Sequence, residues 1–346
     1  MREASVSRPL AAPTIGLDRA WRLPLALAAL LALLLAGSLF AGPVTVGPRE
    51  LLGALLGRNL SVAEIIVWEL RVPRTLLAAM IGASLGLAGA VLQGLLRNPL
   101  AEPGLIGVSA SAALGAVIAF YTGFAAAFPL GLPLGGMVGA GVAVAVLMIL
   151  AGRQSSTLTL ILAGVAVNSF AGALTALALN LSPNPYAAAE IVFWMMGSLA
   201  DRSFQHLGVA AALTLPGWLL LISVGRSLDA LSLGEEAATS LGFDLQAVRW
   251  RAVIGTALAV GAAVSVSGVI GFVGLVVPHL LRPLVGYQPA RLLPVSALGG
   301  AVLLVATDIF VRMLAPGPEL KIGVVTALIG APFFLILLLR LRATSP

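Results

Sequence analysis

Apolar stretches of about 20 residues recur along nearly the whole chain, and this repetition constrains the fold more than any single motif. A hydrocarbon layer roughly 30 Å thick is crossed by ~20 mainly apolar residues of helix, and the backbone inside it must satisfy its own hydrogen bonds. Reading the runs between charged or Pro/Gly-rich breaks predicts spans near residues 22–42, 72–96, 104–123, 133–152, 157–180, 205–225, 247–267, 269–285, 292–314 and 322–340. The chain is therefore read as an all-α, polytopic membrane protein of about ten transmembrane helices, with one transmembrane domain over residues 1–346. A composition 60% hydrophobic and 10% charged leaves too little polar surface for a soluble chain, and the 39 glycines suit close helix packing. The span at 269–285 is interrupted by Pro278, His279, Arg282 and Pro283, so it is expected to be short or covered by neighbours. The first run, Trp21 to Gly42, follows a basic segment but is long for a signal peptide and lacks a convincing small-residue cleavage site, so it is read as a retained helix.

The net charge is +6, and its arginines lie in short breaks between apolar runs, which points to membrane orientation rather than to nucleic acid. Both termini are predicted cytoplasmic. The inner side then carries most of the basic residues, Arg97, Arg153, Arg226, Arg249, Arg251, Arg282 and Arg291 among them, while the outer side keeps Arg49, Arg58, Arg71, Arg74, Arg202, Arg312 and Lys321. Residues 1–21 become a cytoplasmic N-terminal segment, and 227–245 the longest cytoplasmic loop. The absence of cysteine excludes disulfides, iron–sulfur ligation and cysteine-based zinc sites. Lys321 is the only lysine and precedes Ile322, so no Gly-x-x-x-x-Gly-Lys-Ser/Thr phosphate loop exists. His206 and His279 are far apart without metal-ligand spacing; neither a catalytic residue nor a metal site is predicted. Ion-coupled carriers place ionisable groups within their spans, and here Asp308 is the main carboxylate so placed. It is read as the i+4 partner of Arg312, which leaves the energy source outside the chain.

Two stretches do not span. Residues 187–199 read as a short apolar helix on the outer side, after Pro183 and Pro185, and Ser227 to Leu245 as two short helices joined at Gly234. Within the latter, Glu236-Ala237-Ala238-Thr239-Ser240-Leu241-Gly242 resembles the Glu-Ala-Ala-x-x-x-Gly helix that docks on the ATPase in ATP-driven importers. Small alanines permit close approach, the glycine ends the helix, and the acid caps or pairs. An internal echo links Gly82-Ala83-Ser84-Leu85-Gly86-Leu87-Ala88-Gly89 with Gly261-Ala262-Ala263-Val264-Ser265-Val266-Ser267-Gly268. The two helices run in opposite directions in the predicted topology, as in an inverted repeat.

Longer motifs occur in order: Arg71-Val72-Pro73-Arg74-Thr75-Leu76; Gln93 followed by Arg97-Asn98-Pro99-Leu100-Ala101-Glu102-Pro103-Gly104; Gly271 to His279; and Glu319 to Pro332. On these the chain resembles the iron-chelate and cobalamin permease family of ABC importers over nearly its full length. The resemblance implies an inverted-repeat, type II ABC importer architecture in the bacterial inner membrane. It further implies a homodimer above two ATPase subunits, where ATP and Mg are held, and a periplasmic binding protein that delivers a ferric siderophore, haem or cobalamin. By the same resemblance Glu236, Ala237, Ala238 and Gly242 couple to the ATPase, and Asn98, Leu100, Ser155, Ser156 and Thr157 form the cytoplasmic gate. Arg71, Arg74 and Arg312 would dock the binding protein, although arginines at helix ends also anchor in lipid headgroups by snorkelling. No cofactor and no nucleic acid is expected on this chain. A secondary carrier with an inverted repeat is the alternative, and a membrane enzyme or assembly protein a third.

Overall fold

The computed structural model describes residues 21–57, 62–152, 157–182, 185–314 and 320–344. All regular structure among the described residues is helical, in the order α1 (Arg22–Ser38), α2 (Pro48–Leu55), α3 (Val72–Leu95), α4 (Val108–Tyr121), α5 (Gly131–Ala151), α6 (Thr157–Asn180), α7 (Pro185–Met195), α8 (Phe204–Ser223), α9 (Gly225–Leu231), α10 (Glu235–Ser240), α11 (Leu245–Ser267), α12 (Val273–Leu281), α13 (Pro289–Leu314) and α14 (Ile322–Thr344). Helices α1, α3 to α6, α8 and α11 to α14 fall on the ten predicted spans. Six helical stretches, those of α3, α5, α6, α8, α11 and α13, are long and apolar enough to cross a membrane, and shorter apolar helices occupy the other four positions.

The short ones have local causes. Helix α4 starts only after a 3-10 turn at Pro103–Ile106 and Gly107, whose φ of +76° favours glycine. Helix α12 follows Phe272, also left-handed, and runs into a second 3-10 turn at Arg282–Val285. Both begin inside the bundle: the 105–106 backbone lies against Gly164 of α6, and Phe272 against Gly330 of α14. Irregular backbone at that depth is tolerated because protein, rather than lipid, surrounds it. Helix α3 differs from its predicted start at 72. It continues a helix begun at Val62 through a π-helical stretch, Ile66–Arg71. Glu64, Glu69 and Arg71 in that extension hid the helix from a reading based on apolar length.

Helices α3 and α11 form the centre, with 89% and 78% of their apolar windows buried against 28% for α5. Glycine makes this possible. A Cβ built on Gly82 would lie 2.2 Å from the Gly300 carbonyl oxygen of α13, so the two backbones touch with no side chain between them. The echo segments occupy matching places. Gly82 and Gly86 of α3 meet α13 at Gly300 and Ser296, while Gly261 and Ser265 of α11 meet α5 at Ala140 and Gly136. The wider neighbourhoods agree: α3 packs on α12 and α13, α11 on α4 and α5, α4 on α5 and α6, and α12 on α13 and α14. Exchanging α3–α6 for α11–α14 therefore preserves the packing, as an inverted repeat requires.

Candidate functional site

Polar side chains gather at the two ends of the bundle. One end holds α9 and α10, joined at Gly234, whose φ is +113°. Helix α10 closes in a Schellman arrangement: the Phe243 N–H donates to the Ala238 carbonyl (3.1 Å) and the Gly242 N–H to that of Thr239 (2.9 Å). Gly242 has φ +87°, the geometry for which the motif's glycine was singled out. Ala238 is fully buried, Ala237 half-buried and Glu236 exposed, so α10 is fixed by one face and presents the other. Asp244 then caps α11 by accepting from Gln246 N and Ala247 N.

This loop is tied to both halves of the repeat. The Asp229 carboxylate accepts from the Ala290 N–H (2.8 Å) at the start of α13 and from Gln288 Nε2 (3.2 Å). Leu228, fully buried, packs on Gly94 of α3. Glu235, adjacent to the residue chosen by the motif, accepts from Arg249 Nη2 of α11 (3.0 Å) and from Thr157 Oγ1 at the start of α6 (3.1 Å). Arg97, just past α3, approaches the same carboxylate at 3.8 Å. Sequence reasoning missed Glu235. Helical phase was the available signal, since only one of two successive glutamates on a short helix faces the bundle.

Asn98, Leu100 and Thr157, three of the residues expected to form a gate, lie beside this network. Arg97 adopts φ +49° and turns the chain out of α3. Asn98 is exposed, and its Oδ1 accepts from the Leu100 N–H (2.9 Å), the helix-ending turn expected of Asn-Pro. Below it, buried Gln93 accepts from Arg282 Nη2 (2.6 Å) and donates to the Gly274 and Leu275 carbonyls, fastening α3 to α12. Thr157 opens α6; Ser155 and Ser156 lie outside the described residues.

At the opposite end Arg71, Arg74 and Arg312 come together, but not as the exposed cations that docking or snorkelling would need. Arg71 is 4% exposed and donates to the carbonyls of Leu39 (2.5 Å) and Val44. Arg312, 8% exposed, donates to the carbonyls of Ser38 (3.1 Å) and Ala41 (3.2 Å) and to Ser38 Oγ. Asp308 is fully buried between Arg74 (2.7 Å) and Arg312 (2.9 Å), so the predicted i+4 pair is present and gains a second cation from α3. The cluster staples the turn after α1 to α3 and α13. Beside it opens a cavity of about 420 Å³ whose polar wall includes Arg71, Arg74, Asp201 and Arg202. Burial lowers the Arg202 pKa and Asp201 opposes the shift; Arg202 Nε donates to the Val266 carbonyl at the end of α11.

One long helix carries polar groups where lipid would penalise them. Asn168 and Ser169 are exposed at the middle of α6, whose buried face is formed by Leu160, Ala163, Gly164, Val167, Ala171 and Thr175. Their surroundings in the working protein must be polar or protein-covered.

Ten apolar helices, eight of them in two interlocked repeats, glycine contacts at the centre and an anchored amphipathic loop at one end define a polytopic membrane transport subunit. Residues 30–340 match the model of the FecCD transport family. The chain is 42% identical over 282 residues to the vitamin B12 import system permease protein BtuC of Vibrio cholerae, covering 81% of this chain and 84% of that protein. It is 40% identical over 321 residues to the protein of the same name from Salmonella paratyphi A, covering 92% and 95%. A solved structure of an inward-facing transporter assigned to the metal-chelate ABC type superposes with a TM-score of 0.80 at 33% identity, over 92% of this chain and 99% of that one. The chain belongs to the FecCD transport family.

Proposed function

We propose that this chain is the membrane-spanning subunit of an ATP-driven importer of cobalamin, working as a homodimer in the bacterial inner membrane. The observation that carries the reading is α10. It is a short helix with a small-residue face, locked at Gly242, anchored to both repeats and presenting Glu236 outward, as a subunit driven by a separate ATPase needs. Glu236, Ala237 and Gly242 form the coupling surface for the ATPase, which holds ATP and Mg, whereas Ala238, expected on the same surface, is fully buried and packs the helix against its own subunit. Asn98, Leu100, Ser155, Ser156 and Thr157 form the cytoplasmic gate. A second copy placed against α6 gives Asn168 and Ser169 a shared aqueous path in place of lipid. The binding protein docks at the opposite end. There the Arg71, Arg74 and Arg312 cluster acts through its remaining positive field more than through direct contact, because most of its donors are already used within the subunit. Cobalamin is favoured over ferric siderophores and haem by the names of the relatives at 40–42% identity.

The test is uptake by proteoliposomes containing the chain with its ATPase and binding protein. ATP-dependent uptake of cobalamin, with none of ferric siderophore or haem, is the expected result. Uptake driven by a proton or sodium gradient without ATP would replace this reading by the secondary carrier. ATP-driven uptake of an iron chelate alone would keep the importer and change the cargo.

A further inference from the structure

We infer that Glu235 is the positioning residue that transmits movement of the ATPase-facing helix α10 to the two gate segments. The inference rests on the importer reading above and adds a transmission element to it. Glu235 is the first residue of a helix whose opposite face is presented for docking, yet its own carboxylate points into the bundle and is 38% exposed. Its partners come from three separate elements: Arg249 of α11 at 3.0 Å, Thr157 of α6 at 3.1 Å and Arg97 of the α3–α4 connection at 3.8 Å. Thr157 and the residue after Arg97 are both assigned to the gate. One carboxylate therefore joins the docking helix, a central helix and both gate segments. Arg249, with a side chain 16% exposed, supplies the firmest contact, since a half-buried charge-assisted hydrogen bond is screened less than a surface pair. Arg97, half-exposed and just past the end of α3, supplies the longest and weakest of the three contacts.

The rest of the loop confines motion to this point. Asp229 fixes α9 to the start of α13, and Leu228 fixes it against α3, so the segment before Gly234 is immobilised. Gly234, with φ +113° and no atom within 4 Å of a Cβ built there, is the free joint about which α10 can tilt. Glu235 sits directly beside this joint, so a tilt of α10 is passed to the partners of its carboxylate through a short lever arm. These contacts are polar links from α10 to α11, to α6 and to the α3–α4 connection, so removing the charge at 235 uncouples α10 from all three at once.

The experiment compares the parent with Glu235→Gln and Arg249→Gln in the full complex with ATPase and binding protein, measuring basal ATP hydrolysis, binding-protein-stimulated hydrolysis and uptake. The Gln variant at 235 keeps an acceptor for Thr157 but loses charge pairing with both arginines. Expected are an assembled complex, basal hydrolysis within about twofold of the parent, and substrate imported per ATP lowered about tenfold in both variants. A merely structural role would lower hydrolysis and uptake in proportion and leave the ratio unchanged. An unchanged ratio in both variants overturns the inference. So does loss of the ATPase from a Glu235→Gln subunit that still melts like the parent, since Glu235 would then be a docking residue. Should Glu235→Gln not fold, the Arg249→Gln ratio decides. A parent complex without ATP-driven uptake would overturn the importer reading itself, and the inference with it, before any variant is compared.

Discussion

Asp308 is a single carboxylate with no exposed surface, held between two guanidinium groups from different helices. Removing one member of such a cluster leaves the other charges buried without their counter-ion, which costs about 3–5 kcal/mol. Asp308→Asn should therefore lower the stability of the detergent-solubilised protein by about that amount, read from its unfolding transition. An unchanged transition would mean that Arg74 and Arg312 are accommodated without the carboxylate. Gly242 offers a contrasting case, because a Cβ there meets nothing within 4 Å and only its φ of +87° opposes a side chain. Gly242→Val should cost about 1–2 kcal/mol locally and leave the subunit inserted. It should nonetheless lower ATP-driven uptake, measured in the same proteoliposomes, because α10 no longer closes against Phe243. Normal uptake would count against the loop as the coupling element. At this scale the sequence was legible where chain spacing is local: the Asp308–Arg312 pair, the Asn98 turn and the glycine that ends α10. It was illegible where partners lie far along the chain. Arg74 reaches Asp308 across 234 positions and Arg312 reaches Ser38 across 274, so the burial of those arginines has no local signature.

Between elements, backbone contact carries the packing. In the α3–α13 crossing Gly82 and Gly300 face one another, each built Cβ falling within 2.2 Å of the other's carbonyl oxygen. Overpacking a well-fitted core costs about 1–3 kcal/mol or more per site, and here no flexible side chain can move aside. Gly300→Val should abolish recovery of folded protein, whereas Gly141→Ala, at a site with nothing within 4 Å, should behave as the parent in size-exclusion chromatography and melting. Equal recovery of the two would show that the helices can separate without penalty. Apolar length sufficed to find the elements themselves, since crossing hydrocarbon is a requirement each segment meets alone. It did not find α2 or the π-helical entry to α3. Those segments carry Arg49, Glu50, Glu64 and Glu69, and their helicity rests on capping, such as Glu50 accepting from the Gly47 N–H, and on packing of Leu51, Ala54 and Val67.

For the molecule as a whole, an even number of spans places both chain ends on one side, and the geometry states which basic residues share it. Arg97 and Arg249 meet Glu235 at the α9–α10 end, Arg282 joins Gln93 near the same end of α3, and Arg226 lies on α9 itself. Arg71, Arg74, Arg202 and Arg312 collect at the other, where most of their donors are engaged within the protein and add little to the charge of an accessible loop. Orientation follows the accessible lysines and arginines of short loops, so the α9–α10 end should face the cytoplasm, together with Met1 and Pro346. The chain has no cysteine, so single cysteines report position without background. A cysteine replacing exposed Thr122, which ends α4 on the Arg202 side, should react with a membrane-impermeant maleimide added to spheroplasts. One replacing exposed Ser240 at the end of α10 should react only after the membrane is opened, and one appended after Pro346 should behave like Ser240. Labelling of the Ser240 cysteine from outside would invert the molecule and remove α10 from any cytoplasmic ATPase. Opposite behaviour of the Ser240 and C-terminal cysteines would instead leave an odd number of spans after α10, with α12, which begins inside the bundle, as the first to lose its place.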